Sequence, residues 1–490
     1  METCMDNKNN IQKIPEIVKR IGWICLSGLM LFPMLPRSAP YINICGALSL
    51  TILVANFFIW KVEILPNRYL KISFWLFIFT MAINVFIPPL LAGTSYSFSN
   101  MDKIITQGMS TCVGFGDSVS AAYRTLCGIA AVGMAVLTLR SFDDLRNALY
   151  LWIGCAAIVL IFGIVDGVIR LNLFDNPLRR IQSIKGNTAR YAESLLPTGF
   201  ALSALWCLWL KDKGKWFLFS GAAIASAMIA IRFKGANFRN ISLKIAQNNP
   251  TIMYSITCII TAILGFALAY LILKSRKGLL VVGALFLSNI VLTGTRWTIA
   301  SVLIVSTCVT SAFHKWRLTL YIIIVVIISS VTLLKLHPRF QNDNFRIRKF
   351  IYVSGINLIK DHKWLGAGYG SDSVRRTLPP YRANPDDFAF SEKDKIREVG
   401  HVHLHNFWLE LLAERGIVGF LSFHLMWITF IITAWLGGRG NQIARLSAIW
   451  VFLLPIFDLL TFSMRDGLES QQWLVAGMGL VSLRLMKHTK

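Results

Sequence analysis

Apolar runs of about 16–22 residues recur along nearly the whole chain, and this constrains the fold more than any other feature. A run of that length, wound as a helix, matches the thickness of bilayer hydrocarbon. Candidate spans fall at 21–36, 41–60, 72–92, 119–139, 147–165, 191–210, 216–231, 252–273, 278–294, 297–313, 317–335, 405–437, 446–463 and 470–483. Composition agrees: 55% of residues are hydrophobic and 15% charged, outside the range of soluble globular domains. The expected fold is an all-α polytopic membrane protein of 12–14 transmembrane helices, one polytopic domain over residues 1–490 with a large connector at 336–404. The first 20 residues are polar, so the run from Ile21 to Leu35 reads as a retained first span rather than a cleaved signal.

Charge orients the spans. Short connectors with Lys61, Arg68, Lys71, Arg140, Arg146, Lys211, Lys274, Arg276, Arg439 and Arg445 fall on one side, together with both basic tails. The positive-inside rule makes that side cytoplasmic. The rule does not account for the other side. There, 166–190 carries Arg170, Arg179, Arg180, Lys185 and Arg190, and 232–250 carries Arg232, Lys234, Arg239 and Lys244. The connector 336–404 adds Arg339, Arg346, Arg348 and Lys349. With a net charge of +25, a basic outer face implies an anionic partner. No nucleic-acid partner is expected; membrane lipids are.

The long connector exceeds a plain turn, and such loops usually carry function or short helices of their own. Its first half, Phe345 to Lys360, has helical apolar spacing with basic residues opposite and suits a membrane surface. The stretch 378–400, with Pro379, Pro380 and Pro385, reads as irregular. Between them, residues 365–371 (LGAGYGS) form a glycine-rich loop of a kind that presents backbone N–H groups to phosphate.

The connector ends in His401-Val402-His403-Leu404-His405-Asn406. The alternating histidines would share one face of an extended segment, as metal ligands do. His405, at the mouth of the next span, also suits a structural cap or a general base, since an unperturbed imidazole titrates near pH ~6.5. Arg296, in Thr293-Gly294-Thr295-Arg296-Trp297, lies at the outer edge between two apolar runs. It reads as an interface anchor or as a clamp that grips phosphate through paired charge-assisted hydrogen bonds. Glu410, Glu414 and Arg415 follow His405 on one helix, where Glu414 and Arg415 suit pairing with each other or with neighbours, and Asp458 lies inside a later span. The nine cysteines are scattered without a C-x-x-C pair and read as packing residues.

His405-Asn406, nine residues, Gly416, two residues and Gly419 resemble the H-[N/S/Q]-x9-G-x-x-G signature of bacterial O-antigen ligases. Glu414, the stretch from Asn357 to Gly368, and Thr293 to Arg296 resemble further parts of that family's pattern, in order over about residues 180–435. Trp297 and Lys363 depart from it. The resemblance implies a glycosyltransferase of the bacterial inner membrane with both termini cytoplasmic. Its active site would face the periplasm, built partly from the loop 336–404. The implied donor is O-antigen on undecaprenyl diphosphate and the acceptor a lipid A-core sugar. His405 would be the catalytic residue. Arg296, Arg348, Arg346 and Arg190 would bind the diphosphate, with Asn406, Glu414, Gly416 and Gly419 in support. No metal or other cofactor is expected. A polysaccharide polymerase using the same donor is the alternative, and a small-solute transporter a distant one.

Overall fold

The computed structural model describes residues 14–35, 39–91, 115–171, 188–233, 250–292, 324, 345–388, 404, 406–457 and 468–487. Among them there are helices and turns and no strand. The helices are α1 (Glu16–Leu31), α2 (Ala39–Ala55), α3 (Arg68–Leu91), α4 (Phe115–Thr138) and α5 (Phe142–Leu171). Next come α6 (Thr188–Leu208), α7 (Lys215–Phe233), α8 (Pro250–Lys274) and α9 (Lys277–Leu292). The chain continues with α10 (Phe345–Asp361), α11 (Ser371–Thr377), α12 (Phe407–Gly437), α13 (Gln442–Phe457) and α14 (Leu468–Lys487).

The protein is an all-α polytopic membrane protein. Among the described residues seven helices, α1 to α5, α8 and α12, are long and apolar enough to cross a bilayer, and five others carry shorter apolar stretches. The spans expected at 297–313 and, apart from residue 324, at 317–335 lie outside the described residues, as does Asp458.

Hydrophobicity on all sides sends a helix to the interior. Helix α5 shows this: every residue from Ala148 to Gly163 is buried. It lies backbone to backbone against α7. A Cβ on Gly154 would strike the Leu218 carbonyl, and one on Gly221 the Leu151 carbonyl. Small residues that let backbones approach are how helices gain contact where lipid offers no hydrophobic drive. The outer helices show the converse. Phe57 and Phe58 beyond α2, Trp75 and Phe79 on α3, Ile259 and Ile263 on α8, and Leu421 and Ile428 on α12 face outward. Water would penalise such a surface; lipid accepts it.

One end of the bundle gathers the short basic turns. Arg484 near the end of α14 donates to the carbonyls of Val136 (2.6 Å) and Leu139 (2.7 Å), capping the C-terminus of α4. At the same end Lys274 pairs with Asp212 at 3.0 Å, and Asn441 holds the Ser482 carbonyl at 2.8 Å. At the opposite end, α10 and α11 sit over α4 and α12. Ser373 of α11 meets Ser118 of α4 at 3.1 Å.

The sequence places a single span at 405–437, and the structure adds a break within it. The helix starts at Phe407 and is broken at Gly416, whose backbone (φ 59°, ψ −172°) is not helical. Unbroken, 31 residues would extend well beyond the ~30 Å hydrocarbon layer. The break leaves 417–437, roughly 31 Å long, to cross, and sets 407–415 at its edge.

Candidate functional site

The connector builds a small core of its own. Phe350, Ile351 and Leu358 of α10 pack with Val374, Leu378, Ala383, Leu404 and Ala413. Helix α10 is therefore amphipathic, as its spacing predicts. The stretch after α11, expected to be irregular, makes short 3-10 turns at Pro379–Tyr381 and Pro385–Phe388, and 389–400 lies outside the described residues. Ser354 ties these turns down, accepting from the Ala383 N–H at 3.0 Å. Tyr381 Oη stands 3.3 Å from His362 Nε2. Burial, with the neighbouring Asp361 carboxylate second, pushes the Tyr381 phenol above its ordinary value, so it stays protonated.

Four N–H groups of the glycine-rich loop, those of residues 366 to 369, bond the protein's own backbone. A break in a helix orphans donors and acceptors that would otherwise bond four residues apart. At Gly416 these are the carbonyls of Ala413 and Glu414 and the N–H groups of Ile417 and Val418. The loop meets all four. Ala367 N–H donates to Ala413 O (2.8 Å) and Gly368 N–H to Glu414 O (3.2 Å). Ile417 N–H donates to Lys363 O (2.8 Å) and Val418 N–H to Trp364 O (3.3 Å). The Gly366 N–H bonds His362 O at 2.8 Å, and the Tyr369 N–H bonds Asn84 O at 3.2 Å.

The approach is so close that glycine is required on both sides. A Cβ on Gly366 (φ 72°) would meet the backbone of Glu414 and Arg415, and one on Gly416 the backbone of Trp364 and Leu365. Gly419 serves a third element. A Cβ there would stand 2.7 Å from Asn84 Oδ1 of α3. Asn84 Nδ2 donates to the carbonyls of Leu365 (2.6 Å) and Arg415 (3.2 Å), joining loop, broken helix and α3. The two motif glycines are thus a helix break and a helix-crossing point.

Above the break stands the short helix 407–415. Asn406 caps it, its side chain accepting from the Leu409 N–H at 3.1 Å. Asn406→Ala should cost about 0.5–2 kcal/mol, with Asn406→Ser close to wild type, read as the unfolding midpoint in detergent. On the other flank of position 405, Leu404 is fully buried against Gly355 of α10, whose added Cβ would lie 2.8 Å from Leu404 Cδ2. Both neighbours of His405 are therefore anchored. His405 itself lies outside the described residues, with His401, His403 and Arg296.

Of the other predicted residues, Arg348 is partly buried on α10. It precedes Gly355 by seven residues, two turns along one face, about 10 Å from where Leu404 docks. Arg346 shares the first turn of α10 and Arg190 lies on α6, but their side chains lie outside the described set. Glu414 is buried; its carbonyl bonds the loop, and its carboxylate is 3.9 Å from Arg415 Nε, the pairing expected for those two. Sequence reasoning missed Asn84, Tyr369 and the central place of Arg415. A polar residue inside the apolar run of α3 was the available signal for Asn84.

Residues 260–424 match the model of a family described as O-antigen ligase. Over these residues the chain is similar to the O-antigen ligase family. The match covers about a third of the chain and takes in Arg296, Arg346, Arg348, the glycine-rich loop, His405, Asn406, Glu414, Gly416 and Gly419; Arg190 falls outside it. No curated protein matches the chain. The similarity supports glycosyl transfer of the ligase or polymerase kind at the level of the family.

Proposed function

We propose that the protein is an O-antigen ligase of the bacterial inner membrane. It would transfer O-antigen polysaccharide from undecaprenyl diphosphate to a lipid A-core sugar hydroxyl on the periplasmic face. The family match over 260–424 carries this reading, because one continuous segment unites the histidine motif with Arg296, Arg346 and Arg348. The anchoring of Leu404 and Asn406 supports it.

In the proposed mechanism diphosphate is already a good leaving group and needs charge neutralisation more than a proton. Arg296, with Arg348 and with Arg346 and Arg190 as further candidates, binds it and stabilises the charge that grows as the glycosidic bond breaks. His405, neutral, takes the proton from the acceptor hydroxyl as that oxygen attacks the anomeric carbon from the opposite face. One displacement of this kind inverts the anomeric centre. Guanidinium groups supply the positive charge, so transfer should persist after exhaustive chelation with EDTA; rescue by added divalent metal would sink the arginine account.

The lipopolysaccharide gel of a deletion strain tests the function. Loss of a ligase leaves no caps on the core while lipid-linked polymer accumulates. Caps one repeat unit long would instead identify a polymerase.

A further inference from the structure

We propose that Arg415 is a positioning residue. Its guanidinium, stacked on Tyr369, clamps the glycine-rich loop to the broken helix and thereby steadies the short helix capped by Asn406, the residue that follows His405 in the chain. The positioning role rests on the reading of His405 as the base; the clamp itself does not.

Arg415 immediately precedes the break, at the edge of the membrane-crossing half of α12, and it is buried. Its guanidinium carbon lies 4.2 Å from the centre of the Tyr369 ring and 5.2 Å from that of Phe423. The face of an aromatic ring attracts a cation, most strongly where water is excluded. Tyr369 is an anchor rather than a passive neighbour. Its N–H bonds Asn84 O of α3 at 3.2 Å, and its hydroxyl meets Thr125 Oγ1 of α4 at 2.9 Å. Through that ring, Arg415 ties the short helix 407–415 to two membrane helices.

The same geometry argues against a direct phosphate contact through the inner nitrogens. Nε and Nη1 are sealed from solvent and have no hydrogen-bond partner, so an incoming phosphate has no path to them while the loop is docked. Among the described residues Arg415 pairs with the Glu414 carboxylate, 3.9 Å from Nε. The cation works on the chain, not on the substrate. Releasing it frees the short helix to tilt at Gly416. Its N-terminal end then moves most, and that end carries Asn406 and follows directly from His405.

The test uses the 490-residue chain in nanodiscs, with Arg415→Gln, Arg415→Lys, Tyr369→Leu and the Arg415→Gln/Tyr369→Leu pair. Transfer is measured with undecaprenyl diphosphate-linked glycan as donor and lipid A-core as acceptor. Amide hydrogen exchange is followed at 366–369 and 417–418. Arg415→Gln and Tyr369→Leu should each lower kcat about 10–100-fold with donor KM unchanged, as expected for a base displaced by about 1 Å. Arg415→Lys, which keeps a cation over the ring, should recover most of the rate. The double variant should lose no more than the worse single one, since both remove one contact. Exchange at both segments should accelerate in the two single variants.

A raised donor KM with unchanged kcat would make Arg415 a substrate ligand and overturn the proposal. So would wild-type exchange in both single variants. If Arg415→Gln is not recovered folded, Tyr369→Leu, which leaves the charge in place, decides by the same criteria. Wild-type protein inert with this donor and acceptor would overturn the proposed function, and the exchange measurement would still decide the clamp.

Discussion

Gly416→Ala should abolish transfer by adding one methyl group. The backbone at this position (φ 59°, ψ −172°) occupies a region that only glycine enters freely. Forcing an L-residue there costs about 1–3 kcal/mol before any contact is counted. The new methyl would then meet the backbone of Trp364 and Leu365, which cannot rotate away as a side chain would. Either the loop backs off, or Gly416 returns to helical angles and α12 straightens. Both outcomes break the four hydrogen bonds between the loop and residues 413–418. At the membrane edge, unmade backbone bonds are far more costly than their modest net value in water.

The effect should be local. The bundle around α5 does not depend on the loop, so Gly416→Ala protein should still insert and remain helical. Amide exchange should rise in 363–369 and 407–418. Gly366→Ala (φ 72°) should reproduce it from the other side of the contact, since its methyl meets Glu414 and Arg415. Gly283→Ala on α9 is the control. Nothing lies within 4 Å of a Cβ there, so activity and exchange should match wild type. Full transfer by Gly416→Ala would remove the loop-to-helix contact from the account of the site.

The contrast between these glycines shows where the sequence is legible. The apolar runs locate the helices because hydrocarbon leaves the backbone little other choice, and α10 follows from the spacing of Phe350, Ile351 and Leu358. Family resemblance singles out Gly416 and Gly419. The local sequence Arg415-Gly416-Ile417-Val418-Gly419 gives no sign that one glycine is a break and the other a crossing point, because an isolated glycine is often tolerated within a helix. What decides is Trp364 and Leu365 on one side and Asn84 on the other, and Asn84 lies 281 residues from Leu365 and 331 from Arg415 in the chain. The bonding of the glycine-rich loop is hidden for the same reason. Composition shows that its N–H groups are available for close approach; only the fold shows that a broken helix takes two of them. Arg415 beside Glu414 reads as one half of an ion pair until Tyr369 is placed beneath it.

His405→Ala separates chemistry from architecture. A positioned general base contributes about 10²–10⁴-fold, equivalent to roughly 3–5 kcal/mol of barrier, so the variant should lose transfer by that factor. Its stability should hardly change. The chain on either side is fixed by Leu404 in the α10 core and by the Asn406 cap. Exchange at the loop and at 417–418 should therefore stay at the wild-type level, the reverse of Gly416→Ala. Donor binding should also persist, since the diphosphate is assigned to arginines; kcat falls and donor KM holds. In a deletion strain carrying His405→Ala, the gel should show uncapped core with lipid-linked polymer accumulating. Protein level is followed in parallel, because the outcome carries meaning only when the variant is present at the wild-type amount. A normal ladder at that level would mean that the acceptor hydroxyl loses its proton to some other group, and the role given to His405 would fall with it.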